Sequence, residues 1–256
     1  MENIFADDIL ILENALYNQD LKFMEEMTLF TEQYEETHYI TESMMERLSK
    51  KFKQLFASML ESFRNFKAQL HVKLNGVMKQ KQTKKRLREM IENLKENKKK
   101  GAVKATTIDI IKYQKVYLQA YGELWSFAKR IRKGKYHNID DLEWDVDKFN
   151  GIYEKYSDEL KEIGNTKIEM PIDKVLEFCQ DELYGKSRIL KSINDTETKI
   201  YLMKVDAENL EKRKEIMGDQ ILVRRFGLLR GIYSTICKIV KTAVSKFLMW
   251  VVFIFA

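Results

Sequence analysis

The residues able to carry catalytic or metal-binding chemistry are scattered along this 256-residue sequence. His38, His71 and His137 are far apart, and none belongs to the HxxxH or HExxH spacing that places two zinc ligands on one helix face. Cys179 and Cys237 have no CxxC partner and lie in apolar stretches, which is typical of buried thiols in a reducing compartment. The sequence therefore predicts no metal site, no cofactor and no disulfide scaffold.

Two further patterns match only part of a catalytic or phosphate-binding motif. The Gly-Lys-Ser tripeptide at 185–187 matches the end of a phosphate-binding P-loop, but the first glycine of that motif would fall at position 180, which is Gln180. Paired acids such as Asp140 and Asp141 suit the positive end of a helix dipole and need no acid–base role. Because no serine, cysteine or lysine is marked as a nucleophile by its neighbours, we expect a protein that is not an enzyme and has no small-molecule substrate.

A basic tract covers residues 79–88 and is the first candidate for binding a polyanion. Phosphate groups of nucleic acid or of anionic lipid are the ligands that such a charge density favours. Residues 67–112 contain no aromatic side chain to stack on unpaired bases, which argues against nucleic acid. A solvated helix face, or contact with an acidic part of the same chain, is the main alternative. The weak polyanion contacts predicted here are Lys79, Lys81, Lys84, Lys85, Arg86 and Arg88.

The strongest functional signal lies in the tail of residues 220–256, which holds six lysines and arginines and no acid. Helical spacing places the cations on one stripe with apolar residues opposite, and an apolar run over 247–256 follows. A membrane-spanning helix needs about 20 predominantly apolar residues, and mid-membrane lysines cost roughly 2.5–3.5 kcal/mol each. Spanning is therefore disfavoured, and a cationic amphipathic helix lying in the membrane interface fits better.

Membrane docking by this tail would place cations at the headgroups and aromatic side chains in the acyl region. Burial of the same segment in protein, between the subunits of an oligomer, is the alternative. A pore-lining oligomer whose lysines face water is a third arrangement. The predicted membrane or partner contacts are Arg230, Lys238, Lys241, Lys246, Phe247, Trp250, Phe253 and Phe255.

The elements that must position these residues are helices. Ten glycines and the single Pro171 are too few for the turns of a many-stranded sandwich or barrel, and for the phosphate loops of a Rossmann fold. A hydrophobic content of 45% argues against disorder. Apolar residues recur at helical spacing along most of the chain. We predict an all-α fold, an elongated antiparallel helical bundle with coiled-coil-like packing and two very long helices.

Capping signals set the predicted boundaries. Thr106 and Thr107 are predicted to cap a helix, and Pro171 to occupy the first turn of another. The predicted bundle of residues 1–219 contains an acidic helical segment over 1–40, a long basic helix over 43–100, and helices over 106–134, 138–164 and 171–218. Residues 220–256 are predicted to form an appended amphipathic and hydrophobic tail.

Charge is distributed unevenly along the chain. Residues 1–46 carry a net charge of −11 and residues 47–104 one of +14, so we expect the acidic segment to fold back along the basic helix. The N-terminus lacks the basic and apolar regions of a secretory signal peptide. We expect a cytoplasmic, non-enzymatic scaffold or remodelling protein, peripheral to a membrane, that docks on anionic lipid as an oligomer. A structural subunit of a large assembly and a helical nucleic-acid-binding protein are the alternatives.

Overall fold

The computed structural model describes residues 42–78, 81–96, 104–134, 136, 140–185, 187–208 and 219–255. Nearly all of these residues are helical, so the predicted all-α class is confirmed for the described part of the chain, with one short sheet added. The strands are β1 (Lys104–Ile108) and β2 (Lys167–Pro171). The helices are α1 (Glu42–Met78), α2 (Lys81–Glu96), α3 (Ile110–Lys133), α4 (Asp140–Asn165), α5 (Ile172–Tyr184), α6 (Arg188–Glu208) and α7 (Asp219–Phe255).

Helix α7 is the centre of the core and contacts α1, α3, α4 and α6. The side chains of Ile232, Ile236, Val240 and Val244 are almost completely buried along it. Burying one such side chain contributes roughly 1.5–3 kcal/mol to folding. The segment that the sequence predicts as an appended tail is therefore the element against which the other helices pack.

Polar contacts show how two of the long helices run relative to each other. Arg64 and Lys67 of α1 bind the Glu197 carboxylate of α6 at 2.9 Å and 2.6 Å. The hydroxyl of Ser49, nearer the start of α1, donates to the carbonyl of Ala207 near the end of α6 at 3.2 Å. Because early residues of α1 meet late residues of α6, these two helices are antiparallel neighbours.

The sequence pattern did not predict a short two-stranded sheet, whose first strand precedes α3 and whose second strand follows α4. Strand β1 pairs with β2 in antiparallel register. Thr106 and Thr107 lie in β1 and not in a helix cap, which corrects the predicted start of the helix at position 106. Helix α3 begins instead at Ile110, where the Asp109 carboxylate accepts a hydrogen bond from the backbone N–H of Lys112 at 2.9 Å. β-Branched threonines suit a strand, but the partner strand lies far along the chain and no local pattern marks the pairing.

The single helix predicted over 171–218 is divided in the structure. Helix α5 ends before Gly185, whose backbone is extended with φ −93° and ψ −153°. Helix α6 begins after Ser187, whose hydroxyl accepts a hydrogen bond from the backbone N–H of Leu190 at 3.0 Å. A serine cap of this kind satisfies one of the four N–H groups left open at a helix start. Residues 209–218 lie outside the described part of the chain.

Other predicted boundaries correspond to the structure in part. The basic helix predicted over 43–100 corresponds to α1 and α2, with residues 79–80 and 97–100 outside the described part. Pro171 is the last residue of β2 and directly precedes α5, instead of occupying the first turn of that helix. The acidic segment predicted over 1–40 also lies outside the described residues, so its contact with the basic helix stays a prediction.

Candidate anion-binding groove

Two of the four aromatic residues predicted to enter a membrane are buried within the chain itself. Phe247 and Trp250 are 0% and 3% exposed, and both pack against Phe178 of α5, with ring centroids 6.5 Å and 5.6 Å away. An amphipathic helix has the same residue spacing whether its apolar face meets lipid or protein, so the sequence pattern alone does not separate the two environments. The side chains of Phe253 and Phe255 lie outside the described residues.

Two of the four cations predicted to contact headgroups are also buried. Arg230 and Lys241 lie in the protein interior. The Lys241 ammonium donates a hydrogen bond to the Ser62 hydroxyl at 3.2 Å and lies 5.7 Å from the centroid of the Phe66 ring, both on α1. Burial lowers the pKa of Lys241, because the charged form loses its hydration. In this fold, a headgroup therefore cannot reach Lys241 unless α1 moves away.

The other two predicted cations, Lys238 and Lys246, line a groove between α4 and α7 and are joined there by Lys161 of α4. The groove is partly open to solvent and has a volume of about 230 Å³. None of the described residues that line it carries a carboxylate, and its walls combine aromatic and aliphatic side chains with hydroxyl-bearing residues. These further lining residues include Tyr113, Tyr153, Leu160 and Ile239, with the hydroxyls of Ser157 and Thr242.

Helical spacing brings the polar side chains of the groove together. Lys238, Thr242 and Lys246 follow one another at intervals of four residues on α7, so they share one face of that helix. Ser157 and Lys161 have the same spacing on α4. The α7 half of the groove was therefore visible in the sequence as a cationic stripe. The α4 half was missed because it depends on which helix packs beside α7, which no local pattern encodes.

A hydrogen bond fixes Lys246 beside the end of α4. Its Nζ donates to the carbonyl oxygen of Gly164 at 3.1 Å, in the last turn of that helix. Carbonyl groups in this position have no partner within the helix, and a cation there also interacts favourably with the helix dipole. Arg224 of α7 pairs with Glu143 of α4 at 2.8 Å near the other end, so the two helices run parallel and are tied at both ends.

Two of the three groove lysines are not paired with a described carboxylate. Lys161 and Lys238 are exposed, and neither forms an ion pair with a described residue. Several other cations of the fold are paired with carboxylates, which reduces their attraction for outside anions. These pairs are Arg64 and Lys67 with Glu197, Arg130 with Asp145, and Arg132 with Asp206. The groove is therefore a concave and positively charged surface.

Helix α2 carries the described part of the predicted polyanion tract and packs its apolar face against α5. Lys85 and Arg88 are exposed, and the Nζ of Lys85 lies 3.5 Å from the Glu89 carboxylate. An exposed ion pair four residues apart on a helix contributes only about 0.2–0.5 kcal/mol, so these cations remain largely solvated. Nucleic-acid binding by this tract stays a prediction. The tract residues whose side chains lie outside the description are Lys79, Lys81, Lys84 and Arg86.

Other chemically active groups are few in the described part of the chain. No three of its histidine, cysteine and acidic residues are grouped in a way that would hold a metal ion. None of its helices combines the length and the apolar character that crossing a bilayer requires. Cys179 and Cys237 are buried and neither forms a disulfide bond, as their apolar surroundings predict. Burial raises the pKa of Cys179 to about 12, which keeps this thiol protonated and unreactive at neutral pH.

No protein-family model, characterised protein or solved structure matches this chain. The groove is therefore the feature of this chain that indicates a function. Lys161, Lys238 and Lys246 supply its positive charge, and Ser157 and Thr242 supply hydroxyl groups. Such a set can hold an anion by charge and hydrogen bonds. None of its described lining residues is a histidine or a carboxylate, the side chains that most often act as a general base.

Proposed function

We propose that this protein is a non-enzymatic helical scaffold that docks as an oligomer on an anionic membrane surface. Its elongated bundle contains antiparallel neighbours such as α1 and α6 as well as the parallel pair α4 and α7. The observation that supports this most directly is the convergence of Lys161, Lys238 and Lys246 on a concave surface lined by no acid. The docking face is the side of the bundle formed by α4 and α7. Lys238 and Lys246 keep the role that the tail pattern predicts for them, whereas Phe247 and Trp250 stabilise the fold instead of entering lipid.

The strength of such docking follows from the number of cations. Each lysine near an anionic membrane surface contributes about 1 kcal/mol, so three contribute about 3 kcal/mol. This gives only about a hundredfold preference for anionic over neutral lipid, which is weak for a single protomer. Several copies acting together multiply that preference, because the second contact forms at a high effective concentration. An oligomer is therefore part of the proposal.

Vesicle co-sedimentation tests the docking face. We expect the protein to bind phosphatidylcholine vesicles containing phosphatidylserine, and not pure phosphatidylcholine vesicles, at low salt. The double variant Lys161→Gln/Lys238→Gln should bind about 30-fold less tightly, because two contributions of about 1 kcal/mol are removed. Lys246 is left unchanged in this variant because it also binds the carbonyl of Gly164.

The matched control is Lys129→Gln/Lys174→Gln, which removes the same charge from exposed lysines on α3 and α5. This control should bind anionic vesicles almost as well as the unchanged protein. An equal loss in both variants would mean that the attraction is diffuse and that the groove has no special part in it. Failure to sediment with either kind of vesicle would reject membrane docking altogether.

The second candidate is a subunit of a larger protein assembly, and Trp144 near the start of α4 favours it. Its indole is 61% exposed, with the Nζ of Lys148 4.8 Å from the ring centroid. The guanidinium of Arg130 also lies 5.8 Å from this ring centroid. Tryptophan and arginine are both enriched at the centres of protein–protein interfaces. Self-association that depends on protein concentration, without vesicle binding, would support this second function over the first.

A further inference from the structure

We propose that the α4–α7 groove takes up a single phosphate monoester group carried by a membrane lipid, so that docking responds to headgroup chemistry and not only to surface charge. The inference rests on the membrane docking proposed above and names the ligand of the same site. The partner is an anionic phospholipid with a terminal phosphate, of the phosphatidic acid type. Size, charge, donor chemistry and the apolar walls of the groove support this choice.

The volume of the groove suits a small group. The groove measures about 230 Å³ and is partly open to solvent. Sites that enclose whole cofactors or drug-sized ligands are usually about 300–1,000 Å³. A phosphate with the first atoms of its glycerol is smaller than such ligands and suits the available space.

The charge of the groove favours a phosphate monoester over a diester. Lys161, Lys238 and Lys246 together bring three positive charges, and no carboxylate in the lining reduces them. A monoester carries about −1.5 to −2 at pH 7, because its second pKa is about 6. The phosphodiester of other phospholipids carries one negative charge, so it leaves more of the lysine charge without a partner.

The donor chemistry also suits a tetrahedral phosphate better than a planar carboxylate. A lysine ammonium has three N–H donors around a compact charge, whereas the flat guanidinium of arginine pairs with two oxygens in one plane. No arginine lines the groove. The hydroxyls of Ser157 and Thr242 add two neutral donors on opposite helices. Both α4 and α7 therefore offer hydrogen-bond donors to a phosphate in the groove.

One of the three lysines is already held in position. Lys246 uses one N–H on the carbonyl of Gly164 at 3.1 Å, which leaves its other two donors for an anion. A side chain that is ordered before binding loses less entropy when the ligand arrives. The adjacent walls, from Leu160 and Ile239, offer apolar contact to the glycerol and the first acyl carbons. Free inorganic phosphate would gain nothing from these walls.

The experiment compares two lipids at equal surface charge. Vesicles of phosphatidylcholine are doped with phosphatidic acid or with phosphatidylserine, each adjusted to the same zeta potential. We expect binding to the phosphatidic acid vesicles to be at least about tenfold tighter, a factor that one additional charge-assisted hydrogen bond is sufficient to give. Monomeric dihexanoyl phosphatidic acid should likewise bind more tightly than inorganic phosphate in isothermal titration.

A charge-neutral variant separates headgroup selection from general attraction. Thr242→Val removes a groove hydroxyl and keeps the net charge, so it should reduce the preference for phosphatidic acid several-fold and leave phosphatidylserine binding unchanged. Thr235→Val, the same change at a position of α7 outside the groove lining, is the control and should preserve the preference.

The possible failures are distinguishable. Equal binding to the two lipids at equal zeta potential would overturn the monoester inference and leave membrane docking intact. Inorganic phosphate binding as tightly as the short-chain lipid would overturn the lipid assignment. No binding to any anionic vesicle would overturn the proposed docking itself.

Discussion

Tyr113, Tyr117 and Tyr121 form a row of buried phenols on one face of α3. The Tyr117 hydroxyl shares a hydrogen bond with the hydroxyl of Ser192 on α6, and the Tyr121 hydroxyl lies 3.2 Å from that of Thr196. A hydrogen bond between neutral groups contributes about 1 kcal/mol, but losing one partner of a buried pair costs about 1–3 kcal/mol. These contacts therefore fix the register between α3 and α6 more than they increase stability.

The buried phenols predict a loss of stability at high pH. Burial raises the pKa of Tyr113 and of Tyr121 from 10.0 to about 12, because the phenolate would lose its hydration. The unfolded chain then releases these protons first, so the stabilisation is complete below pH 10 and is lost as the pH rises towards 12. Tyr113→Phe should remove about 2 kcal/mol from the decrease in unfolding free energy up to pH 12. Urea unfolding of both proteins at a series of pH values from 7 to 12 measures this difference in unfolding free energy.

Tyr201→Phe is the matched control for this pH experiment. Tyr201 lies on α6 and is 47% exposed, so the same chemical change is made where the phenol is largely in water. The unfolding free energy of the Tyr201→Phe variant should equal that of the unchanged protein at every pH. An equally steep decrease in the Tyr113→Phe variant would show that the phenol of Tyr113 is not the source.

At the scale of a single element, α7 combines two requirements. Its apolar face, with Ile236 and Phe247, fills the centre of the core, and its exposed lysines form half of the groove. Lys241 lies between the two environments, where burial lowers its pKa and Ser62 accepts its hydrogen bond. The cationic stripe of this helix therefore contributes one lysine to the protein interior and two lysines to the groove.

Substitutions at the end of α7 measure what its aromatic residues do. Phe247→Ala should lower the unfolding free energy by about 3–5 kcal/mol, because the side chain is completely buried and a cavity remains. For a chain of this size that lowers the melting temperature by roughly 6–20 °C. Met249→Ala is the control, since that side chain is 44% exposed on the same helix. The control should change the melting temperature little. Thermal unfolding, monitored by circular dichroism, compares the two variants. Similar changes in melting temperature would mean that this end of α7 is not held in the core.

Local patterns predicted some elements better than others. The helices predicted over 106–134 and 138–164 correspond to α3 and α4 within about four residues, because each has a continuous apolar stripe and charged ends. The break at Gly185 was missed, since the apolar spacing continues across it. Half of the candidate groove was predictable from Lys238 and Lys246, but the contribution of α4 depends on tertiary packing.

At the scale of the whole molecule, the described helices differ in how deeply they are embedded. Helix α7 is surrounded by α1, α3, α4 and α6, whereas α2 contacts the rest mainly through a small separate cluster with α5. That cluster contains only three buried side chains, Leu87, Ile91 and Leu176. Regions with few buried apolar contacts open locally without unfolding of the whole. Stability should therefore be distributed unevenly across the fold.

Native-state hydrogen exchange tests this distribution. Amides in the middle of α7, around Ile232 to Val244, should exchange only through global unfolding and respond to urea with the full dependence of the unfolding reaction. Amides of α2, around Leu87 and Ile91, should exchange faster and with little dependence on urea. Equal protection and equal urea dependence in the two helices would instead indicate a single cooperative unit.

The central position of α7 also has a consequence for biosynthesis. Helices α1, α3, α4 and α6, which pack along it, and α5, whose Phe178 contacts Phe247 and Trp250, are all translated earlier, so the faces that meet α7 have no permanent cover when they leave the ribosome. About 140 residues separate the end of α1 from the start of α7, which corresponds to about 7–28 s of translation at 5–20 residues per second. The core is therefore completed only after α7 emerges, and the nascent chain depends on transient protection of its apolar faces until then.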